Sequence, residues 1–245
     1  MASRTVARPV AAARGRDEPL LDRRPELPAL VLAAAAWLVI LAASVSHGHG
    51  AGLDGARWSP SGAGRGALLW VVMVVAMMLP LTVPSLRYVA RMVPRRGRSG
   101  AMVTFGAAYV VAWLPGAAPA ALVDARPPTS TVVVAAGFVA AAAWELTPMK
   151  RRALLRCHRH AVVRAHQPAR RRTCGSYGLR RGGRCVASCG PAMGALTLSH
   201  HSLVPTVVVA VGLAVQQLHP DAYWYRGRAA VVLLWLAAYT GTDVA

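Results

Sequence analysis

Residues 67–86 read Ala67-Leu-Leu-Trp70-Val-Val-Met73-Val-Val-Ala76-Met77-Met78-Leu79-Pro80-Leu-Thr-Val-Pro84-Ser-Leu86. Twenty residues without a charge rise roughly 30 Å as a helix, the thickness of the hydrocarbon core of a bilayer. Trp70, Met73 and Met77 fall at i, i+3 and i+7 and therefore share one face. Pro80 carries no amide donor and frees a carbonyl one turn earlier, so the spacing predicts a kink there. Thioethers and freed carbonyls on one face suit a cation path, but they suit ordinary helix packing as well, and the segment alone favours packing.

Further charge-free runs lie on both sides of it, at 28–46, 101–123, 131–143, 185–199, 202–218 and 229–239. The run at 131–143 reaches Pro148 only by including Glu145. Apolar residues make up 55% of the 245 positions while 28 Lys and Arg stand against 9 Asp and Glu. Such composition is compatible with folding only if charge and apolar surface are segregated along the chain, as they are here. The expected fold is all-α, a polytopic transmembrane helical bundle of seven spans. Six spans result if 185–218 is one passage. That would assign 34 residues to a crossing that needs roughly 20. The short run 185–199 contains Pro191, which also allows a re-entrant or kinked half-helix.

The basic residues set the orientation. With the N-terminus cytoplasmic and seven spans, every Lys and Arg except Arg57, Arg65 and Arg126 falls on the inner side. The expected location is the bacterial cytoplasmic (inner) membrane, with anionic inner-leaflet lipids as the first partner of the basic loops. The same partition accounts for the net charge of +19 without nucleic acid, for which no recognition motif is present. Residues 1–27, rich in Arg and Pro, read as a disordered basic tail ahead of an uncleaved signal anchor. Small residues at Ala43-Ser44-Val45-Ser46 offer a competing cleavage site. The remainder, 28–245, reads as one helical membrane domain with a basic cytoplasmic loop at 148–184.

All four cysteines lie between Cys157 and Cys189. Cys185, Cys189 and Met193 are spaced i, i+4 and i+8, which stacks two thiols and a thioether on one face of a helix. Thiolate and thioether sulfur select Cu(I), with zinc a less favoured candidate for the thiolates. Cys and Met are also ordinary apolar fillers, and spacing alone leaves both readings open. Counting from the inner ends of their spans, Met193 lies eight residues beyond Cys185, and Met78 and Met77 lie nine and ten from Arg87. Those depths are roughly 12 Å and 13–15 Å. If the second and fifth spans are neighbours, Met77 or Met78 is level with Met193 and can complete a site with Cys189. Cys157, His158, His160, His166 and Cys174 add donors on the same side, without zinc-finger spacing. His47, His49, His200 and His201 face the opposite side, where imidazoles either capture a metal or simply border the membrane. Glu145 stands about a turn from Lys150 and either pairs with it or lies in a polar interior.

Three segments together resemble a known family. Trp70 with Ala76-Met77-Met78-Leu79-Pro80 and Pro84, Leu146-Thr147-Pro148-Met149-Lys150, and Gly182 with Cys185, Cys189 and Met193 are similar in order and spacing to the predicted metal-binding integral membrane proteins of bacteria, domain of unknown function 2182. The resemblance covers 67–239 and implies membrane location and metal binding. In that pattern a Cys pair follows the Thr-Pro-x-Lys turn, of which this chain keeps Cys157 with Ala153 at the other place. A Cys-x-x-Cys-Cys cluster marks the fifth span. Cys185 and Cys189 are kept, and Ser188 stands where the middle Cys would be. Gln216-Gln217 occupies the place of an acidic-basic pair.

No nucleotide-binding loop, nucleophile elbow or zinc-protease helix occurs, so these residues support neither ATP-driven pumping nor the common hydrolase chemistries. The expected function is binding of a soft transition metal, copper first, in its handling or passage, with a metal-delivery protein or membrane complex as partner. A membrane thiol-redox enzyme and a non-catalytic scaffold subunit are the alternatives. Cys185 and Cys189 are four apart rather than in the Cys-x-x-Cys spacing of most oxidoreductase dithiols.

Overall fold

The computed structural model describes residues 24–47, 60–126, 129–157, 169–219 and 225–242. All regular structure among them is helical. Ten α-helices run in order: α1 Leu27–His47, α2 Pro60–Met78, α3 Val83–Met92, α4 Arg95–Val111, α5 Ala117–Asp124, α6 Thr131–Leu146, α7 Pro148–Cys157, α8 Ala169–Leu198, α9 Leu203–Leu218 and α10 Arg226–Thr242.

The breaks follow the prolines. α2 stops at Met78 because Pro80 cannot donate to the ladder, and a 3-10 turn at Pro80–Thr82 carries the chain into α3. Thr82 Oγ1 donates to Leu79 O at 2.7 Å at this break. A second 3-10 turn, Leu114–Gly116, joins α4 to α5. Between α6 and α7 the chain bends by 72°. Thr147, held extended by the following Pro148, sits at that corner and serves both helices. Its hydroxyl donates to Trp144 O at 2.8 Å and accepts the Lys150 amide at 3.1 Å.

Expectation and structure part company at α8. The basic stretch read as a loop over 148–184 is helical at Pro148–Cys157 and again from Ala169, so the fifth apolar run is only the second half of a 30-residue helix. Arginine is a good helix former, and its long side chain leaves a basic helix free to pack through its other face. Here that face is glycine. A Cβ at Gly182 would stand 2.7 Å from Tyr109 O, and one at Gly178 would overlap Phe105 O. Only glycine lets α8 approach the α4 backbone so closely, and this pair makes the most extensive helix contact in the fold.

α6 packs on α10, and α2 packs on α5 and α1. The central core draws Trp70, Met73, Met77, Met78, Cys185, Cys189, Met193 and Leu236 into one buried cluster. A second cluster, with Val89, Phe105, Cys174 and Tyr177, lies at the basic end of α8. Glu145, Lys150, Gln216, Gln217 and Ser188 are buried, whereas Leu32, Leu38, Val103, Val132, Val211 and Trp235 face outward.

Among the described residues three segments are long and apolar enough to cross a membrane: Leu27–Ser44, Ser61–Met78 and Arg95–Asp124. The bent pair Thr131–Leu146 and Pro148–Cys157 makes a fourth if counted as one span, and Leu203–Leu218 is apolar but shorter.

Candidate metal centre

Cys185 and Cys189 lie one turn apart on α8, so helix geometry alone aims both thiols in one direction. Their sulfurs are 3.9 Å apart. Met78, the last residue of α2, brings its Sδ to 3.9 Å from Cys185 Sγ. The Pro80 break is what allows this, since α2 ends at that depth and Met78 terminates it against α8. All three side chains are buried, and the cysteines are free thiols. Met77 and Met193 are buried in the same core, and Tyr109 of α4 lies beside Cys185.

A polar layer backs the thiols. Gln217 Nε2 donates to Cys189 Sγ at 3.4 Å and to Ser188 Oγ at 3.1 Å. Ser188 Oγ is 3.3 Å from Cys189 Sγ, and Cys157 Sγ lies 3.9 Å from Ser188 Oγ. Behind these, Lys150 Nζ donates to Glu145 Oε1 at 2.5 Å and to Ser188 O at 2.7 Å. Pro191 offers no amide to the turn beginning at Ala187, and the Ser188 carbonyl belongs to that loosened turn. Glu145 Oε2 accepts Gln216 Nε2 at 2.9 Å. A buried ion pair is costly unless its remaining hydrogen-bonding capacity is met. Here Ser188 O and Gln216 meet it, which places a lysine cation within electrostatic reach of Cys189.

Among the described residues no three His, Cys, Asp or Glu side chains converge as a metal ligand set. Among the described residues Met78 supplies the third sulfur, in contact with Cys185. His158, His160 and His166 lie outside the described residues. Cys174 sits instead in the second cluster, near Tyr177 rather than near the pair. The sequence reading missed the roles of Ser188 and Gln217. Both stand at departures from the family pattern, and each supplies a hydrogen-bonding group to Cys189.

The histidines of the α8–α9 turn form a second polar locality. His200 and His201 both take left-handed backbone conformations, with φ of 49° and 59°. The cap is closed by His201 N donating to Leu196 O at 3.0 Å. Thr129 N donates to His200 Nε2 at 3.2 Å, so that ring presents its Nδ1 proton to Asp124 Oδ1, 3.1 Å away. Among the described residues neither ring nitrogen of His201 has a hydrogen-bond partner. Burial pushes its imidazole below the ordinary histidine value, opposed by Asp124, which favours the neutral ring with a free lone pair. His201 lines a cavity of about 570 Å³ together with Met73, Arg65, Ser44 and Thr206. His49 lies outside the described residues, as does the His47 side chain.

A family model described as copper chaperone matches residues 67–240. No match was found among curated proteins or among solved structures. The matched region is most of the chain and contains the thiol pair, Met78 and the polar layer. The chain belongs to the copper chaperone family.

Proposed function

We propose that this copper chaperone family member is a multi-pass protein of the bacterial cytoplasmic membrane. In this reading it holds Cu(I) between Cys185, Cys189 and Met78 and passes it to a metal-accepting protein partner. The observation that carries the reading is the convergence of three sulfurs, from helices far apart in sequence, at 3.9 Å spacings in a buried core.

The chemistry follows from the donors. Cu(I) is soft and takes thiolate and thioether sulfur, whereas structural zinc asks for four donors in a tetrahedron. Two thiolates with Cu(I) leave one negative charge. The Lys150 ammonium, shared with Glu145, lies within electrostatic reach of Cys189, and the Gln217 amide and the Ser188 hydroxyl are hydrogen-bonding groups beside that sulfur. A thioether is the weakest of the three donors and the first to yield when an acceptor offers a thiol or imidazole of its own, which suits a protein that must release its cargo. The thiol-redox alternative is less well served, because two cysteines one turn apart on a helix aim their Cβ atoms poorly for a disulfide.

Membrane residence is supported by the inversion of ordinary surface logic: apolar Leu, Val and Trp outside, Glu, Lys and Gln inside. With the N-terminus cytoplasmic, the basic ends of α4, α7 and α8 face anionic inner-leaflet lipids.

The test is an anaerobic Cu(I) titration of detergent-purified protein against a chromophoric chelator, with X-ray absorption of the loaded sample. One tightly held Cu(I) with an all-sulfur shell is expected, lost in C185S/C189S. Tight copper retained by that folded variant would overturn the assignment and leave the scaffold reading.

A further inference from the structure

The cavity at the α8–α9 turn is built in a way that the centre described above does not explain. His201 takes a left-handed backbone conformation, and both of its ring nitrogens are buried without partners among the described residues. The neighbouring His200 is fully engaged by Thr129 and Asp124, so it fixes the turn without being available to a ligand. A buried unpaired imidazole is retained at a cost, and the cavity it lines holds one further soft donor, Met73. Met73 belongs to α2 and is buried in the same core as the thiol pair. It lies five residues before Met78, roughly 7.5 Å of helix rise from the sulfur that touches Cys185.

We infer that this cavity is a capture site at which Cu(I) first binds through the His201 imidazole and the Met73 thioether, and from which it moves to Cys185 and Cys189. An imidazole–thioether pair carries no charge and holds Cu(I) less tightly than two thiolates, so transfer runs down an affinity gradient. Met77 and Met193 are buried in the same core as Met73 and the thiol pair and supply further soft donors there. No proton or electron is consumed at capture, because neutral imidazole and thioether bind without losing a proton. The two thiol protons are released only at the second site. Arg65 also lines the cavity. The direction of transfer rests on the proposed centre, whereas binding in the cavity does not.

The two are separated by working in the C185S/C189S background. Full-length protein in detergent is titrated anaerobically with Cu(I), and X-ray absorption reads the ligand shell. One weakly bound Cu(I) with mixed nitrogen and sulfur ligation is expected to remain. It is lost on adding H201N, which keeps a residue tolerant of the left-handed turn, or M73L, which keeps volume and apolarity. With the cysteines intact, H201N and M73L are expected to slow loading of the tight site at least tenfold while leaving its equilibrium affinity unchanged. Mixed nitrogen and sulfur ligation persisting in H201N, or loading at the wild-type rate in both variants, would overturn the capture site. Tight all-sulfur copper surviving C185S/C189S would instead remove the centre and leave cavity binding standing.

Discussion

Met78 Sδ lies 3.9 Å from Cys185 Sγ, although 107 positions separate the two residues in the chain. The contact joins the end of one helix to the middle of another. It depends on two local facts: the Pro80 break that ends α2 and the glycine face that seats α8. Its consequence is that a pair of thiols becomes a set of three sulfur donors.

Replacing Met78 by Leu tests that consequence most directly. Volume and apolarity are kept, so the thermal midpoint is expected to change little, with a cost below about 1.5 kcal/mol. Cu(I) affinity is expected to fall on the order of tenfold, about 1.4 kcal/mol. Competition against a chelator reads the change, and an unaltered affinity in folded protein would remove Met78 from the ligand set.

The Lys150–Glu145 pair separates folding from metal affinity. Lys150→Met leaves a buried carboxylate whose cation is gone, with an expected loss of about 3–5 kcal/mol. Adding Glu145→Gln restores most of the stability, since no uncompensated charge remains. Copper affinity is expected to stay reduced about 10- to 100-fold in the double variant, as for loss of an outer partner of a metal ligand. Full recovery of both properties would mean that the cation has no influence on the centre.

At the α4–α8 contact, Gly182→Ala places a methyl group 2.7 Å from Tyr109 O. Either the helices separate or the backbone shifts, at an expected cost of about 1–3 kcal/mol. Because the same face of α8 positions Cys185 beside Tyr109, copper affinity should fall in parallel. Gly183→Ala, where nothing lies within 4 Å of the added carbon, is the control and should leave thermal stability unchanged or raise it by up to about 1 kcal/mol.

Orientation is read by impermeant thiol labelling of intact cells. Cysteines introduced at Ser61 and Ser202 are expected to react from outside, and one at Ser99 is not. Exterior labelling at Ser99 would reverse the proposed topology.

Acid sensitivity is expected where α1 meets α3. Arg87 Nη2 donates to Glu26 Oε1 at 2.6 Å, and the guanidinium holds the Glu26 carboxyl below its ordinary value of 4.5. A lowered folded-state pKa contributes stability that is present above the unfolded value and is lost as pH falls through the folded one. The loss therefore lies below about pH 4.5. Melts of wild type and E26Q are expected to converge there, with wild type the more stable at neutral pH. A gap that is unchanged at low pH would contradict the assignment.

The sequence by itself determined what covalent geometry and local chemistry determine. The apolar runs announced helices, Pro80 announced the break after Met78, and the four-residue spacing of Cys185 and Cys189 put both thiols on one face. Glu145 and Lys150 were near enough in the chain to be read as a possible pair, and they are paired. Register between helices was not legible in this way. Depth counted from the edges of apolar runs set Met77 and Met78 level with Met193, but α8 begins at Ala169 and is seated by glycines within its basic half. Its position is set by backbone approach to α4 rather than by where charge ends, and Met78 consequently meets Cys185. Only the tertiary structure could bring Gln217 to Cys189 and Ser188, or set His201 in a cavity with Met73. Such juxtapositions arise from packing between segments far apart in the chain, and no periodicity within one segment encodes them.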